Sequence, residues 1–200
     1  MLCSILLLAR LIQAIRSTHF KRRPSTPTSK SSTRSTTCRT YILLGSGGHT
    51  GEMMRLLSEL PFDRYTPRLY IISSGDKLSK TKALELEANK SKGDFSFLEI
   101  PRARRVHQSF FTTPWSTVVS LIYCLWYITL SRPYPDLVLL NGPGSSVPIA
   151  LAAFLPRILH LRASPRLIYV ESLARVQRLS LSGTILLPFM DVFIVQWDRL

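Results

Sequence analysis

From Thr40 onward, short runs rich in aliphatic and β-branched residues alternate with longer stretches of helical character, and this rhythm restricts the fold more than any other feature of the chain. Strands are expected at Tyr41–Leu44, Arg68–Ile72, Phe95–Ile100, Leu137–Leu140, Leu167–Val170 and Val192–Gln196. Helices are expected at Gly51–Leu60, Lys77–Lys90, Pro114–Leu130, Val147–Leu159 and, shorter, Ser182–Phe189. Each intervening helix carries the chain back to the starting edge of the sheet, so successive strands pair in parallel. The strand runs are almost continuously apolar, which implies cover on both faces. The expected class is therefore α/β, a single Rossmann-like lobe with a mostly parallel sheet over residues 40–200. Pro114–Leu130 is apolar nearly all round, as suits either a buried crossover helix or one that touches a membrane surface.

Two segments precede the lobe. Residues 2–20 read LCSILLLARLIQAIRSTHF, apolar through Ala9 and then broken by Arg10, Gln13 and Arg16. As a helix, Leu2–Ile15 covers ~21 Å against a hydrocarbon core of ~30 Å. Residues 1–20 are expected to form a membrane anchor helix, either spanning or lying in the interface with Arg10, Gln13 and Ser17 on one polar stripe. A cleaved signal peptide fits less well, because no charged segment leads it and no small-residue cleavage site follows it. Lys21, Arg22 and Arg23 come directly after, which by the positive-inside rule leaves the amino terminus lumenal and the body cytosolic. Residues 21–39 then form a basic linker. Pro24–Thr40 holds 11 Ser or Thr among 17 residues, a composition expected to remain a flexible tether.

Charge sharpens this picture. The chain carries a net +14, and residues 1–40 hold eight of the 26 Lys and Arg with no acid at all. More than half of the excess thus lies in the tail, and the body shows no helix-turn-helix pattern, zinc-finger spacing or aromatic RNA-binding signature. Nucleic acid is not expected as a partner. Cys3, Cys38 and Cys124 are isolated, without metal-ligand spacing, so neither a zinc site nor a disulfide framework is expected.

The sharpest motif is LLGSGGHTGE at 43–52, a strand running through a glycine loop into a helix. Absent Cβ atoms admit a ligand close to the backbone, and free N–H groups at a helix start favour an anion such as pyrophosphate. The dinucleotide fingerprint fails at Thr50, and a Walker A loop would need a lysine that is absent. A tight strand-to-helix turn is the plainer explanation. His49 stands where an imidazole could take a proton from a sugar hydroxyl, donate to a phosphate, or simply cap the helix. A second loop, Asn141-Gly142-Pro143-Gly144-Ser145-Ser146, again follows a strand and precedes a helix. Ligands of open α/β sheets gather beyond the carboxyl ends of strands, so both loops point to one cleft. Glu171 follows the fifth strand and could bind sugar hydroxyls, act as a base, or pair with Arg175 one turn on. Arg102, Arg104, Arg105 and His107 form the densest basic cluster of the body, suited to a diphosphate, to anionic lipid headgroups or to plain solvation.

These residues resemble a known family, the membrane-anchor subunit of the eukaryotic N-acetylglucosamine transferase that makes dolichyl chitobiosyl diphosphate in asparagine-linked glycosylation. The resemblance rests on LGSGGHTGEM at 44–53, Asp76-x-x-Ser79, PRARRVHQS at 101–109, PDLVLLNGPGSSVPIA at 135–150 and YVESLARVQRLSLSG at 169–183, in order along the body. The family is similar in turn to the amino-terminal, acceptor-binding half of bacterial transferases that build the peptidoglycan lipid precursor, whose two-lobed fold is of the GT-B type.

The resemblance implies a heterodimer with a separate cytosolic subunit that holds UDP-N-acetylglucosamine, which this chain recruits to the endoplasmic reticulum membrane, with the nuclear envelope as a further location. It implies transfer of N-acetylglucosamine to the 4-hydroxyl of a dolichol-linked acceptor with inversion, no metal or other cofactor, and no activity of this chain alone. His49 and Glu171 are then the catalytic candidates. Gly45, Ser46, Gly47, Gly48, Thr50, Asn141, Gly142, Pro143, Gly144 and Ser145 would hold the acceptor and its diphosphate, and Arg102, Arg104 and Arg105 would meet lipid headgroups. The family also implies a tail beyond Leu200 that helps hold the partner, so partner binding is expected to be weakened if the product stops there. Two other functions compete. One is a structural membrane adaptor without a working acceptor site. The other, a nucleotide-dependent oxidoreductase, is disfavoured because Ser73, Ser74 and Gly75 stand where an acidic ribose-binding residue belongs.

Overall fold

The aliphatic runs become the strands of one sheet. The structure, a computed structural model, describes residues 10–15, 37–103, 113–130, 133–159 and 164–199. Strands β1 (Thr40–Leu44), β2 (Arg68–Ser73), β3 (Phe95–Ile100), β4 (Leu137–Asn141), β5 (Arg166–Val170) and β6 (Val192–Ile194) form a six-stranded sheet in the order β3-β2-β1-β4-β5-β6. Every pairing is parallel. The α-helices described from Thr40 onward are α1 (Gly48–Ser58), α2 (Lys77–Lys90), α3 (Thr113–Cys124), α4 (Ser146–Ile158) and α5 (Leu181–Leu186).

Alternation along β1 divides the core in two, because successive strand side chains point to opposite faces. Ile42 and Leu44 pack with Met53 and Leu57 of α1 and Ala83 of α2. Tyr41 and Leu43 join the other cluster, with Cys124 of α3, Ile149 and Ala153 of α4, and Leu186 of α5. Burial pushes the Cys124 thiol up to about 12, so this cysteine behaves as a small apolar side chain.

Several boundaries and burial patterns differ from the sequence expectation for identifiable reasons. Helix α1 starts at Gly48 rather than Gly51, because Gly47 adopts a left-handed φ of 68° and turns the chain directly into the helix. The last helical stretch divides into α5 and a 3₁₀ turn over Leu187–Phe189 where Pro188 supplies no N–H. Cover on both faces holds for the central strands. It does not hold at the edges, where Phe95, Ser96 and Glu99 of β3 and Val192 and Ile194 of β6 are exposed.

Helix α3 continues as a π-helical segment over Leu125–Leu130 and is neither fully buried nor isolated. Ser120, Cys124 and Ile128 face the core, while Trp115, Val118, Ile122, Trp126 and Leu130 form an exposed apolar stripe. Residues 10–15 are helical, with Ala14 buried in the α3/α4 side of the core and Leu11 and Ile15 packed against it. The rest of the anchor expected over 1–20, and all of the linker expected over 21–39 except 37–39, lie outside the described residues. Among the described residues no helix is long and apolar enough to cross a membrane.

A buried ion pair ties β2 to α2. The Arg68 guanidinium donates through Nε and Nη2 to the two oxygens of Glu87, each at 2.7 Å, and through its remaining N–H groups to the carbonyls of Phe62, Tyr65 and Lys92. The Phe62 ring lies 4.0 Å beneath it. Tyr70 donates to Glu87 Oε1 at 2.6 Å, and burial together with the carboxylate pushes its phenol well above the ordinary range. Such a pair is tolerable in the interior because its hydrogen-bonding capacity is met. Arg68→Met, which leaves Glu87 buried without its cation, is expected to cost about 3–5 kcal/mol. Urea unfolding monitored by circular dichroism reads this directly, and a loss below about 1 kcal/mol would show that solvent reaches the carboxylate.

Candidate functional site

A doubly wound sheet has a natural crevice where the chain, after winding outward on one side, returns to wind on the other. Here that point lies between β1 and β4. Their ladder runs from Thr40–Leu137 to Ile42–Leu139, whereas β1 continues to Leu44 and β4 to Asn141. The two glycine loops emerge from these strand ends side by side, as the sequence placed them.

The loops interlock through missing side chains. A Cβ on Gly142 would stand 2.2 Å from Cε1 and 2.4 Å from Nδ1 of His49, so the imidazole occupies the space above that glycine. A Cβ on Gly45 would stand 2.6 Å from Cγ of Pro143 and 2.8 Å from Cβ of His49. Asn141 Nδ2 donates to the His49 carbonyl at 2.6 Å and clasps the first turn of α1 to the end of β4. By contrast, a Cβ at Gly47, Gly48 or Gly144 would meet nothing within 4 Å. Together with Ser46 these residues are exposed and form the accessible rim of the site.

Beneath the rim, polar side chains turn inward and hold the loop. Thr50 donates to the Gly45 carbonyl and lies 2.6 Å from Ser79 Oγ. Ser79 is held in turn by Asp76, which caps α2 by accepting from the Ser79 N–H at 3.2 Å and from its hydroxyl at 2.7 Å. The Asp76-x-x-Ser79 step is thus a helix cap wired to the glycine loop. Ser145 is buried, 3.5 Å from Ser73 Oγ. Of the residues expected to contact an acceptor, Thr50, Asn141 and Ser145 have side chains facing the protein, whereas Ser46, Gly47, Gly48, Gly144 and part of His49 are open to solvent.

Glu171 is fully buried. Its Oε2 accepts from the Ser180 N–H at 2.9 Å and the Ser180 hydroxyl at 3.0 Å, and its Oε1 from the Ser172 N–H at 3.1 Å. Gly183 must lack a side chain, since a Cβ there would stand 2.3 Å from Glu171 Oε2. Glu171 therefore organises the 171–183 loop from within, and among the described residues no ion pair joins it to Arg175. Arg102 is half-buried and donates through Nε to the Ser74 carbonyl at 3.1 Å. Arg104, Arg105 and His107 lie outside the described residues. Among those described, no group of three His, Cys, Asp or Glu could hold a metal ion.

One residue of the site carries no expected role in the sequence. Glu52, one turn after His49 on α1, places Oε2 3.5 Å from His49 Nδ1 and accepts through Oε1 from Ser172 Oγ at 2.8 Å and Leu173 N at 3.1 Å. The available signal was the i, i+3 spacing of His49 and Glu52 at a helix start. The contact to Ser172, 120 residues away, had none.

A family model described as "Oligosaccharide biosynthesis protein Alg14 like" matches residues 40–200. The chain is 47% identical over 163 residues to the "UDP-N-acetylglucosamine transferase subunit ALG14" of Candida albicans, covering 82% of this chain and 72% of that protein. It is 41% identical over 169 residues to the Homo sapiens protein of the same name, covering 80% and 75%. Among solved structures it is similar to MurG of Acinetobacter baumannii, with a TM-score of 0.52 at 12% identity, over 80% of this chain and 42% of that one. The chain thus spans less than half of the MurG chain, and the likeness is one of fold.

The crowding at Gly183 gives a direct test of the loop's construction. Gly183→Ala is expected to cost about 1–3 kcal/mol by forcing the Glu171 carboxylate off its three donors. The check is urea unfolding together with amide exchange at Ser172 and Ser180, both of which should lose protection.

Proposed function

The chain belongs to the Alg14-like family of oligosaccharide biosynthesis proteins, and from that premise we propose that it is the membrane-anchoring, acceptor-binding subunit of a UDP-N-acetylglucosamine transferase. The reaction adds the second N-acetylglucosamine to N-acetylglucosaminyl-diphosphodolichol with inversion, and a separate cytosolic subunit supplies the donor site. The observation that carries this reading is the pair of interlocked glycine loops at the β1/β4 crevice, which puts the His49 imidazole beside an exposed helix start. The names of the relatives and the fold likeness to MurG support a transferase lobe of the GT-B kind.

The chemistry follows from the geometry. The acceptor diphosphate lies against the backbone N–H groups at the start of α1, where the glycine rim admits a bulky anion and the helix dipole favours negative charge. The sugar then extends toward the crevice and brings its 4-hydroxyl to His49. The imidazole takes the hydroxyl proton as the oxygen attacks the anomeric carbon. The bond from that carbon to the UDP oxygen breaks on the opposite side, and UDP leaves on the partner subunit. Holding the acceptor on one subunit and the donor on another makes the isolated chain inactive.

We place the body on the cytosolic face of the endoplasmic reticulum membrane, and of the nuclear envelope, with the amino terminus lumenal. The exposed stripe of Trp115, Ile122, Trp126 and Leu130 on α3 and its π-helical continuation supports contact of the body with that surface, since Trp is favoured at the headgroup level. Arg102 supplies charge for phosphate headgroups.

The test is transfer of labelled N-acetylglucosamine from UDP onto a short-chain acceptor lipid, by the chain alone and with its donor-binding subunit. Activity is expected only in the mixture. It should fall about 100-fold or more in His49→Ala, the range general-base catalysis supplies, and comparably in Gly142→Ala, which displaces the ring. Full activity of an assembled His49→Ala pair would leave this chain the role of an adaptor.

A further inference from the structure

His49 has two ring nitrogens, and a neutral imidazole can accept a proton only at the one that does not already carry one. The surroundings of the ring decide which that is. Nδ1 is buried without a hydrogen-bond partner, and Glu52 Oε2 lies 3.5 Å from it. About a third of the side chain is exposed, at 32%, so the accessible edge of the ring is not the Nδ1 edge. The carboxylate facing Nδ1 is itself restrained, because its other oxygen accepts from Ser172 Oγ and Leu173 N. From across the crevice the ring meets Gly142, which brings no ionisable group.

We infer that Glu52 is a positioning residue that sets the tautomer of His49, keeping the proton on Nδ1 so that Nε2 offers its lone pair to the acceptor hydroxyl. An ionised glutamate can only accept, so the nitrogen turned toward it must donate. The separation of 3.5 Å is long for a hydrogen bond, and on this inference it tightens when substrate seats, as catalytic contacts commonly do. Glu52 also joins the two halves of the site: the same carboxylate orients the base on α1 and clasps the 171–183 loop through Ser172 and Leu173. The kinetic part of the inference rests on the reading of His49 as the base, whereas the tautomer itself does not.

Glu52→Gln separates the two tasks. The glutamine is isosteric, and its carbonyl oxygen can still accept from Ser172 and Leu173. That arrangement turns its NH₂ group toward Nδ1, which must then accept and leave the proton on Nε2. Long-range ¹H–¹⁵N correlation spectra of the full chain report the tautomer without any activity. The expected result is Nδ1–H at His49 in the native chain and Nε2–H in Glu52→Gln. An Nε2–H tautomer in the native chain, or no change on substitution, overturns the inference. With the donor-binding subunit present, Glu52→Gln is expected to lower kcat about 10- to 100-fold with little change in KM for the acceptor. A tautomer switch with undiminished kcat would uphold the positioning role of Glu52 and contradict the role of His49 as base.

Discussion

The constraint on which the site depends is the contact between the His49 ring and the backbone at Gly142. Two loops from strands that are neighbours in space but nearly a hundred residues apart in sequence approach so closely that an imidazole fills the volume of an absent side chain. The approach is possible only at the β1/β4 switch point, where the strands run past the end of their ladder. Topology thus supplies the crevice, and two glycines let it close around a histidine.

What keeps the crevice in shape is a set of buried polar contacts, each held by groups from more than one element. Asp76 holds Ser79 at the cap of α2, and the Ser79 hydroxyl abuts that of Thr50, which reaches the Gly45 carbonyl. Asn141 fastens the first turn of α1, and Glu171 gathers the loop after β5 onto Ser180. Buried polar groups of this kind cost little once satisfied and a great deal when broken, so they rigidify the loops that carry them. The exposed groups are few by comparison: the Ser46–Gly48 backbone, Gly144 and part of His49. A rigid base beneath a small polar rim suits a site that must orient one hydroxyl rather than envelop a ligand.

The sheet and its order of elements were readable because aliphatic runs, glycine turns and helix lengths are local signals. The placement of both glycine loops at one crevice followed from the general behaviour of doubly wound sheets. The inward turn of Thr50, Asn141 and Ser145 could not be read, since a hydroxyl or amide beside a glycine loop serves a ligand or a carbonyl equally well. Glu171 looked available for chemistry because it follows a strand, yet its environment is made by Ser180 and Gly183, nine and twelve positions later in a segment without periodicity. Glu52 went unassigned for a similar reason, as two of the three contacts described for it come from Ser172 and Leu173 far along the chain. The edge exposure of β3 and β6 likewise belongs to strand order, which apolar content does not encode.

The central claim, that the acceptor diphosphate rests on the start of α1 in the β1/β4 crevice, is most directly tested by titrating the ¹⁵N-labelled chain with a short-chain N-acetylglucosaminyl-diphosphate lipid and following backbone amide shifts. The account predicts saturable changes at Gly47, Gly48 and His49, smaller ones at Gly142 and Gly144, and no comparable response to UDP-N-acetylglucosamine. Changes confined to other parts of the chain, or an equal response of these amides to the donor, would contradict it.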